Sequence, residues 1–214
     1  MKILITDQLD AFFLDLLTNN GINYKYSPTL GRESILGIIN HFDGLVVRNR
    51  IKIDKDFLKR SAKLKFIARY GSGMESIDVK KAKELGIACF NSAEGNRNSV
   101  AEHTLGLIIC LLHNITKSNK ELNNGIWNRE GNRGFELDGK TIGIIGYGNT
   151  GSAFAQKLSG FDCKVVAYDK YTSDFSNQYV QEVTMQHIYR YSDIISFHIP
   201  LKGDTFHLFN STFI

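Results

Sequence analysis

Little in this 214-residue sequence suggests a disulfide scaffold or a zinc site. The three cysteines, Cys89, Cys110 and Cys163, are odd in number, far apart and form no C-x-x-C pair. All three sit in apolar surroundings, which predicts buried, reduced thiols. Charge of one sign is also scarce: 26 basic and 22 acidic residues leave +4, scattered along the chain. So weak a field argues against nucleic-acid or membrane binding. Long apolar runs are missing too. The longest, residues 105–112, is far short of a membrane span, and the apolar run in residues 1–7 is too short for a signal peptide. The cytoplasm is therefore the expected compartment. Low-complexity tracts and fixed-period repeats are absent. What remains is 43% apolar and 22% charged, a globular composition with length for one large domain or two small ones.

The chain alternates short apolar runs with helical periods. Strands are predicted at 2–6, 23–27, 44–48, 64–70 and 87–91, and helices at 9–17, 31–39, 55–60 and 79–85. Strands alternating with helices imply a parallel sheet covered on both faces. Residues 91–98 are polar and aperiodic, and read as a hinge. Ser99-Val-Ala-Glu102 has the S-x-x-E form of a capping box, so a helix is expected to begin there and run to about residue 114. It is apolar on nearly all sides from 105 to 112, which predicts burial all round, between domains or at a dimer interface. A turn-rich connector, 123–139, follows.

Thr141-Ile-Gly-Ile-Ile-Gly-Tyr-Gly-Asn-Thr-Gly151 reads as a strand, a glycine turn and the start of a helix. Gly146, Gly148 and Gly151 fall on the G-x-G-x-x-G spacing of a dinucleotide site. The first glycine allows the tight turn, the second lets backbone approach a pyrophosphate, and the third lets helix and strand pack closely. The helix start adds free N–H groups and partial positive charge. A second strand, Lys164-Val-Val-Ala-Tyr-Asp169, ends 18 residues past Gly151, near the ~20 expected for the acid that binds a ribose hydroxyl. The plainer reading, a glycine-rich turn in an ordinary α/β unit, leaves Asp169 unexplained. A short helix near 184–191 and a strand at 193–199, ended by Pro200, complete the pattern.

Taken together these segments resemble the D-isomer specific 2-hydroxyacid dehydrogenase family, which includes D-3-phosphoglycerate dehydrogenases. The likeness rests on five segments in family order: Val46-Val-Arg-Asn-Arg50, Arg69-Tyr-Gly-Ser-Gly-Met-Glu-Ser-Ile-Asp78, Asn98-Ser-Val-Ala-Glu-His103, residues 137–151, and His198-Ile-Pro-Leu201 followed by Thr205. It implies two doubly wound parallel-sheet α/β domains with a cleft between them. Residues 1–97 would be a flavodoxin-like substrate domain, and 98–214 a Rossmann NAD-binding domain, incomplete in this chain. It further implies NAD as cofactor, held by Gly146, Tyr147, Gly148, Asn149, Thr150, Gly151, Asp169, His198, Ile199, Pro200 and Thr205. Asp169 favours NAD over NADP because a carboxylate repels a 2′-phosphate, while Lys170 beside it works against that preference. A small 2-hydroxy or 2-oxo acid would be the substrate, and a homodimer through 100–139 the assembly.

For that acid the resemblance points to the turn at 71–73, where Ser72 and Gly73 would offer backbone N–H groups to the carboxylate. A tight turn needing glycine for conformation alone is the alternative. Arg48 and Arg50 suit a substrate phosphate, or else lie in a solvated loop. Ser99 and Glu102 are a simple cap, or a cap that also turns a positive helix end toward the cleft.

The family's arginine, glutamate and histidine for hydride transfer lie after the H-x-P segment, and the sequence given stops at Ile214 before any match to them. None of the six histidines corresponds to the catalytic one, and His198 and His103 are weak substitutes. The expectation is thus a fragment without catalytic residues, with a half-built pocket and with the glycine strand left as an exposed edge. A dinucleotide-sensing, protein-binding relative is the rival reading. An S-adenosylmethionine methyltransferase would share only the glycine strand and the acid.

Overall fold

In the computed structural model, which describes residues 1–211, the chain divides into two compact units, Met1–Gly95 and the part from Asn96 onward. The first unit runs β1 (Lys2–Ile5), α1 (Ala11–Asn19), β2 (Asn23–Tyr26), α2 (Arg32–Ile38), β3 (Gly44–Val47), α3 (Lys55–Lys59), β4 (Phe66–Arg69), α4 (Val79–Glu84) and β5 (Ala88–Asn91). Its five strands are parallel in the order β2-β1-β3-β4-β5. That is the flavodoxin-like doubly wound order. The unbroken apolar run of β3 is buried at every residue, as a central strand covered on both faces requires. Leu4, Leu45, Val47 and Ile67 pack on one face with residues of α2, α3 and α4. Ile3, Ile5 and Val46 pack on the other with Leu17 of α1. Asp54 and Asp78 cap α3 and α4, accepting from the N–H of Phe57 at 3.0 Å and of Lys81 at 2.9 Å.

The second unit runs α5 (Arg97–Leu112), α6 (Ile115–Asn123), β6 (Thr141–Ile145), α7 (Asn149–Lys157), β7 (Lys164–Tyr168), β8 (Gln181–Glu182), α8 (Met185–Tyr191) and β9 (Ile194–Phe197). Its parallel sheet has the order β8-β7-β6-β9. This is the 3-2-1-4 portion of a Rossmann sheet. The glycine strand β6 is therefore internal, with β7 on one side and β9 on the other. The expected exposed edge is wrong, because the strand at 193–199 crosses to the far side of β6 and does not extend the sheet beyond β7. The short strand β8 takes that outer place. Ile142, Ile144, Val165 and Ala167 bury one sheet face with Ala101 and Ile108 of α5 and Phe154 of α7. Ile145 and Val166 bury the other with Ile188 of α8.

One further expectation fails at α5. The helix begins at Arg97, two residues before Ser99, and no side chain caps it. Glu102, instead of closing a capping box, reaches Lys157 of α7 at 2.9 Å. Within its own unit the helix is covered on one side. Ala101 and Ile108 face the core, while Leu107 and Leu111 remain exposed. Among the described residues no helix is long and apolar enough to cross a membrane.

Candidate functional site

β6 ends in a turn whose glycines have different work. Gly146 has φ +96° and its N–H donates to the Tyr168 carbonyl at 2.8 Å. A Cβ there would lie 2.6 Å from the His198 carbonyl oxygen, and one on Gly151 would collide with the carbonyl of Gly146. Those two positions admit only glycine, so that β6, β9 and α7 can close up. Gly148 differs: a Cβ on it would meet nothing within 4 Å. It lines a cavity of about 270 Å³ shared with Gly146, Asp169, His198 and Pro200. Bare backbone at the start of a nine-residue helix, facing open space, fits an approaching pyrophosphate.

Asp169 follows the second strand and closes the turn from the side. One carboxylate oxygen accepts the Tyr147 N–H at 2.7 Å. The other accepts the N–H groups of Tyr171 at 2.8 Å and Thr172 at 3.0 Å. A carboxylate offers about four acceptor places, so roughly one stays open for a ribose hydroxyl.

The opposite wall is formed by residues after β9, because that strand crosses over. The expectation of a half-built pocket is corrected accordingly: the cavity has both sides. Pro200, Lys202, Asp204, Thr205 and Leu208 all line it. Thr205 folds this wall, its hydroxyl donating to the Pro200 carbonyl and accepting the Lys202 N–H, each at 2.7 Å. His198 fastens wall to turn. Its Nε2 lies 3.0 Å from the Ser196 hydroxyl and its Nδ1 3.2 Å from that of Thr150, and its ring stacks on Phe154. Burial pushes its pKa down to about 4, which keeps the ring neutral near pH 7.

Of the eleven positions expected to hold the cofactor, seven line the cavity: Gly146, Gly148, Asp169, His198, Ile199, Pro200 and Thr205. The other four do not. Tyr147 turns away, stacked on Phe175 at 4.4 Å with its hydroxyl accepting from Asn177. Thr150 serves His198, Gly151 is buried packing, and Asn149 opens α7. Missed by sequence reasoning are Tyr171, Met185, Lys202, Asp204 and Leu208. Lys170, in sequence only a charge beside Asp169, lines the cavity too, and its ammonium pairs with Asp204 at 2.6 Å.

In the first unit the expected substrate residues stand at the carboxyl ends of β3 and β4. Asp7, just past β1, is 5% exposed and accepts the Arg48 N–H at 3.0 Å. Arg50 is not free in solvent: it donates to the Thr6 carbonyl, and its Nε lies 3.9 Å from Asp7. The Arg48 residue is exposed. In the turn at 71–73, the Ser72 carbonyl accepts from the Asn91 amide at 2.6 Å, and Gly71 has φ +152°. The Glu75 carboxylate folds against Gly73, where a Cβ would otherwise stand. Arg69 ends β4 with its guanidinium against Gly71 and its Nε buried without a hydrogen-bond partner. Sequence reasoning did not single out Arg69, although an arginine closing a strand was the available signal.

A parallel sheet in the 3-2-1-4 order, a glycine turn at its switch point and an acid after the second strand define a Rossmann-type dinucleotide-binding domain. Comparison with known proteins gives the family. Residues 105–214 match the model of the D-isomer specific 2-hydroxyacid dehydrogenase NAD binding domain. The chain is 36% identical over 211 residues to the hydroxypyruvate reductase of Thermotoga maritima, covering 98% of itself and 68% of that protein. To the human D-3-phosphoglycerate dehydrogenase it is 33% identical over 211 residues, covering 98% of itself and 40% of that protein. The structure of D-2-hydroxyisocaproate dehydrogenase superposes with a TM-score of 0.85 at 25% identity, covering 100% of this chain and 66% of that one. The chain belongs to the D-isomer specific 2-hydroxyacid dehydrogenase family, and NAD is the cofactor of its second unit.

Proposed function

We propose that the chain serves hydride transfer between NAD and C2 of a D-2-hydroxy acid, with 3-phosphoglycerate and hydroxypyruvate as first candidates. The observation that carries this reading is the cavity at the β6–β9 switch point, bounded by a bare Gly148 and by Asp169. Bound there, NAD supplies the hydride acceptor. The residues around it do the holding: the start of α7 receives the pyrophosphate, and Asp169 accepts from the adenosine ribose. Near the carboxyl ends of β3 and β4, Arg48, Arg69 and the turn containing Ser72 and Gly73 bind the acid's anionic groups. Oxidation also moves a proton off the C2 hydroxyl. His198 is not its acceptor, since both ring nitrogens have hydroxyl partners and the ring resists protonation.

The chain spans 68% of the T. maritima reductase and 40% of the human dehydrogenase, so turnover is assigned to the whole enzyme of this family. A homodimer through 100–139 belongs to the same proposal. Leu107, Leu111, Leu122, Trp127 and Phe135 are exposed there, and an apolar set of that kind favours a partner surface. The relatives are named as reductases and dehydrogenases, which favours the enzyme over a non-catalytic dinucleotide sensor.

The test is a fluorescence titration of the 214 residues with NADH, alongside turnover assays with NAD plus 3-phosphoglycerate and NADH plus hydroxypyruvate. Saturable NADH binding without turnover is the expected result. Absence of NADH binding overturns the site. Clear turnover would show that these residues already include the proton acceptor.

A further inference from the structure

We propose that Asp204 is a second determinant of dinucleotide choice, favouring NAD over NADP by occupying Lys170 at the mouth of the cavity. The inference rests on the cofactor reading above. Lys170 directly follows Asp169, the acceptor for the adenosine ribose, and lines the same cavity as Lys202. Two ammonium groups beside a ribose are a receptor for a 2′-phosphate, the one group by which NADP differs from NAD. Asp169 is a weak guard against that phosphate. Its two oxygens already accept three backbone N–H groups, whose dipoles offset part of its charge.

Asp204 supplies what Asp169 lacks. Its carboxylate takes the Lys170 ammonium at 2.6 Å and lies 3.4 Å from the Tyr171 hydroxyl. Both ammonium groups lie over the Tyr171 ring, Lys170 at 5.6 Å and Lys202 at 6.0 Å from its centroid. That ring helps to hold them in place. The hydrogen bond from Lys170 keeps the Asp204 carboxyl below its ordinary range and raises the lysine above its own, so both stay charged at neutral pH. Asp204 thus removes a cation from the phosphate position and adds an anion near it. The pair is half exposed, with 58% and 40% of the two side chains accessible, so its effect on stability is small and its effect on a doubly charged ligand is the larger one.

The experiment titrates the 214-residue chain with NADH and with NADPH, reading nicotinamide fluorescence, for the native protein, Asp204→Asn, Lys170→Ala and the double variant. The native protein is expected to prefer NADH. Asp204→Asn should shift the NADPH/NADH affinity ratio about tenfold toward NADPH, and adding Lys170→Ala should cancel that shift. An unchanged NADPH/NADH ratio in Asp204→Asn overturns the proposal. So does a gain that survives in the double variant, since Lys170 would then not be the group released. If the native protein binds neither dinucleotide, the cofactor reading fails and takes this inference with it. That outcome is distinct from NADH binding with a fixed ratio.

Discussion

The two units solve one geometric problem in opposite ways. Each is a doubly wound parallel sheet, and each has a switch point where connections leave in opposite directions and a crevice opens past the strand ends. In the first unit the crevice between β1 and β3 is taken by the chain itself. Asp7 is buried there, bound to the Thr6 hydroxyl and the Arg48 N–H, with Arg50 close by. In the second unit the crevice between β6 and β9 is kept clear by glycine, and a carboxylate, Asp169, stands at its rim. Topology thus provides the opening. Whether it receives a ligand depends on which side chains follow the strands.

The comparison breaks most severely in the second unit's core. Phe154 is fully buried under the glycine turn and stacks on His198. Phe154→Ala should cost about 3–5 kcal/mol and abolish NADH binding, measured by denaturant unfolding and titration. An unfolding midpoint close to native would show that the turn does not depend on that ring. A smaller effect is expected on the filled side. Asp7→Ala leaves the Arg48 N–H without its acceptor and should cost about 1–3 kcal/mol, with NADH affinity unchanged. If NADH affinity fell with it, the two crevices would not be independent.

The smallest effect is a pH dependence that sharpens the contrast. His198 has its pKa lowered from 6.5 to about 4 by burial. Above 6.5 both folded and unfolded chains hold it neutral, and its contribution is fully present. Between 6.5 and about 4 the unfolded chain binds the proton and the folded one does not, so stability falls as pH falls, and the loss is complete below about 4. Unfolding midpoints measured across that window should decline less steeply in His198→Gln. An identical slope in that variant would remove His198 from the titration.

Much of the fold was legible because the signals are local. Short apolar runs mark β1, β3, β6 and β7, and the helices predicted at 55–60 and 79–85 coincide with α3 and α4. The glycine turn and Asp169 were legible for the same reason, since the spacing itself carries the geometry. Failures occurred where distant residues decide. β8 is two polar residues, Gln181 and Glu182, and no periodicity reveals it. Without it the strand at 193–199 looks like the third in line, and its crossing to the far side of β6 goes unseen. Asp7 and Arg48 are 41 residues apart, and Lys170 and Asp204 are 34 apart. No short-range pattern pairs them. At α5 a local signal misled: S-x-x-E was present, but Glu102 meets Lys157 of the neighbouring helix.

The three N–H groups held by Asp169 join the glycine turn to the segment after β7. Conformational entropy there is lost on folding, before any ligand arrives, and association leaves little disorder to remove. Calorimetry should therefore find a modest entropic penalty for NADH with the native protein and a larger one with Asp169→Ala, beside the enthalpy lost with the ribose hydrogen bond. The rim carboxylate therefore acts on the entropy of binding as well as through the contact it makes.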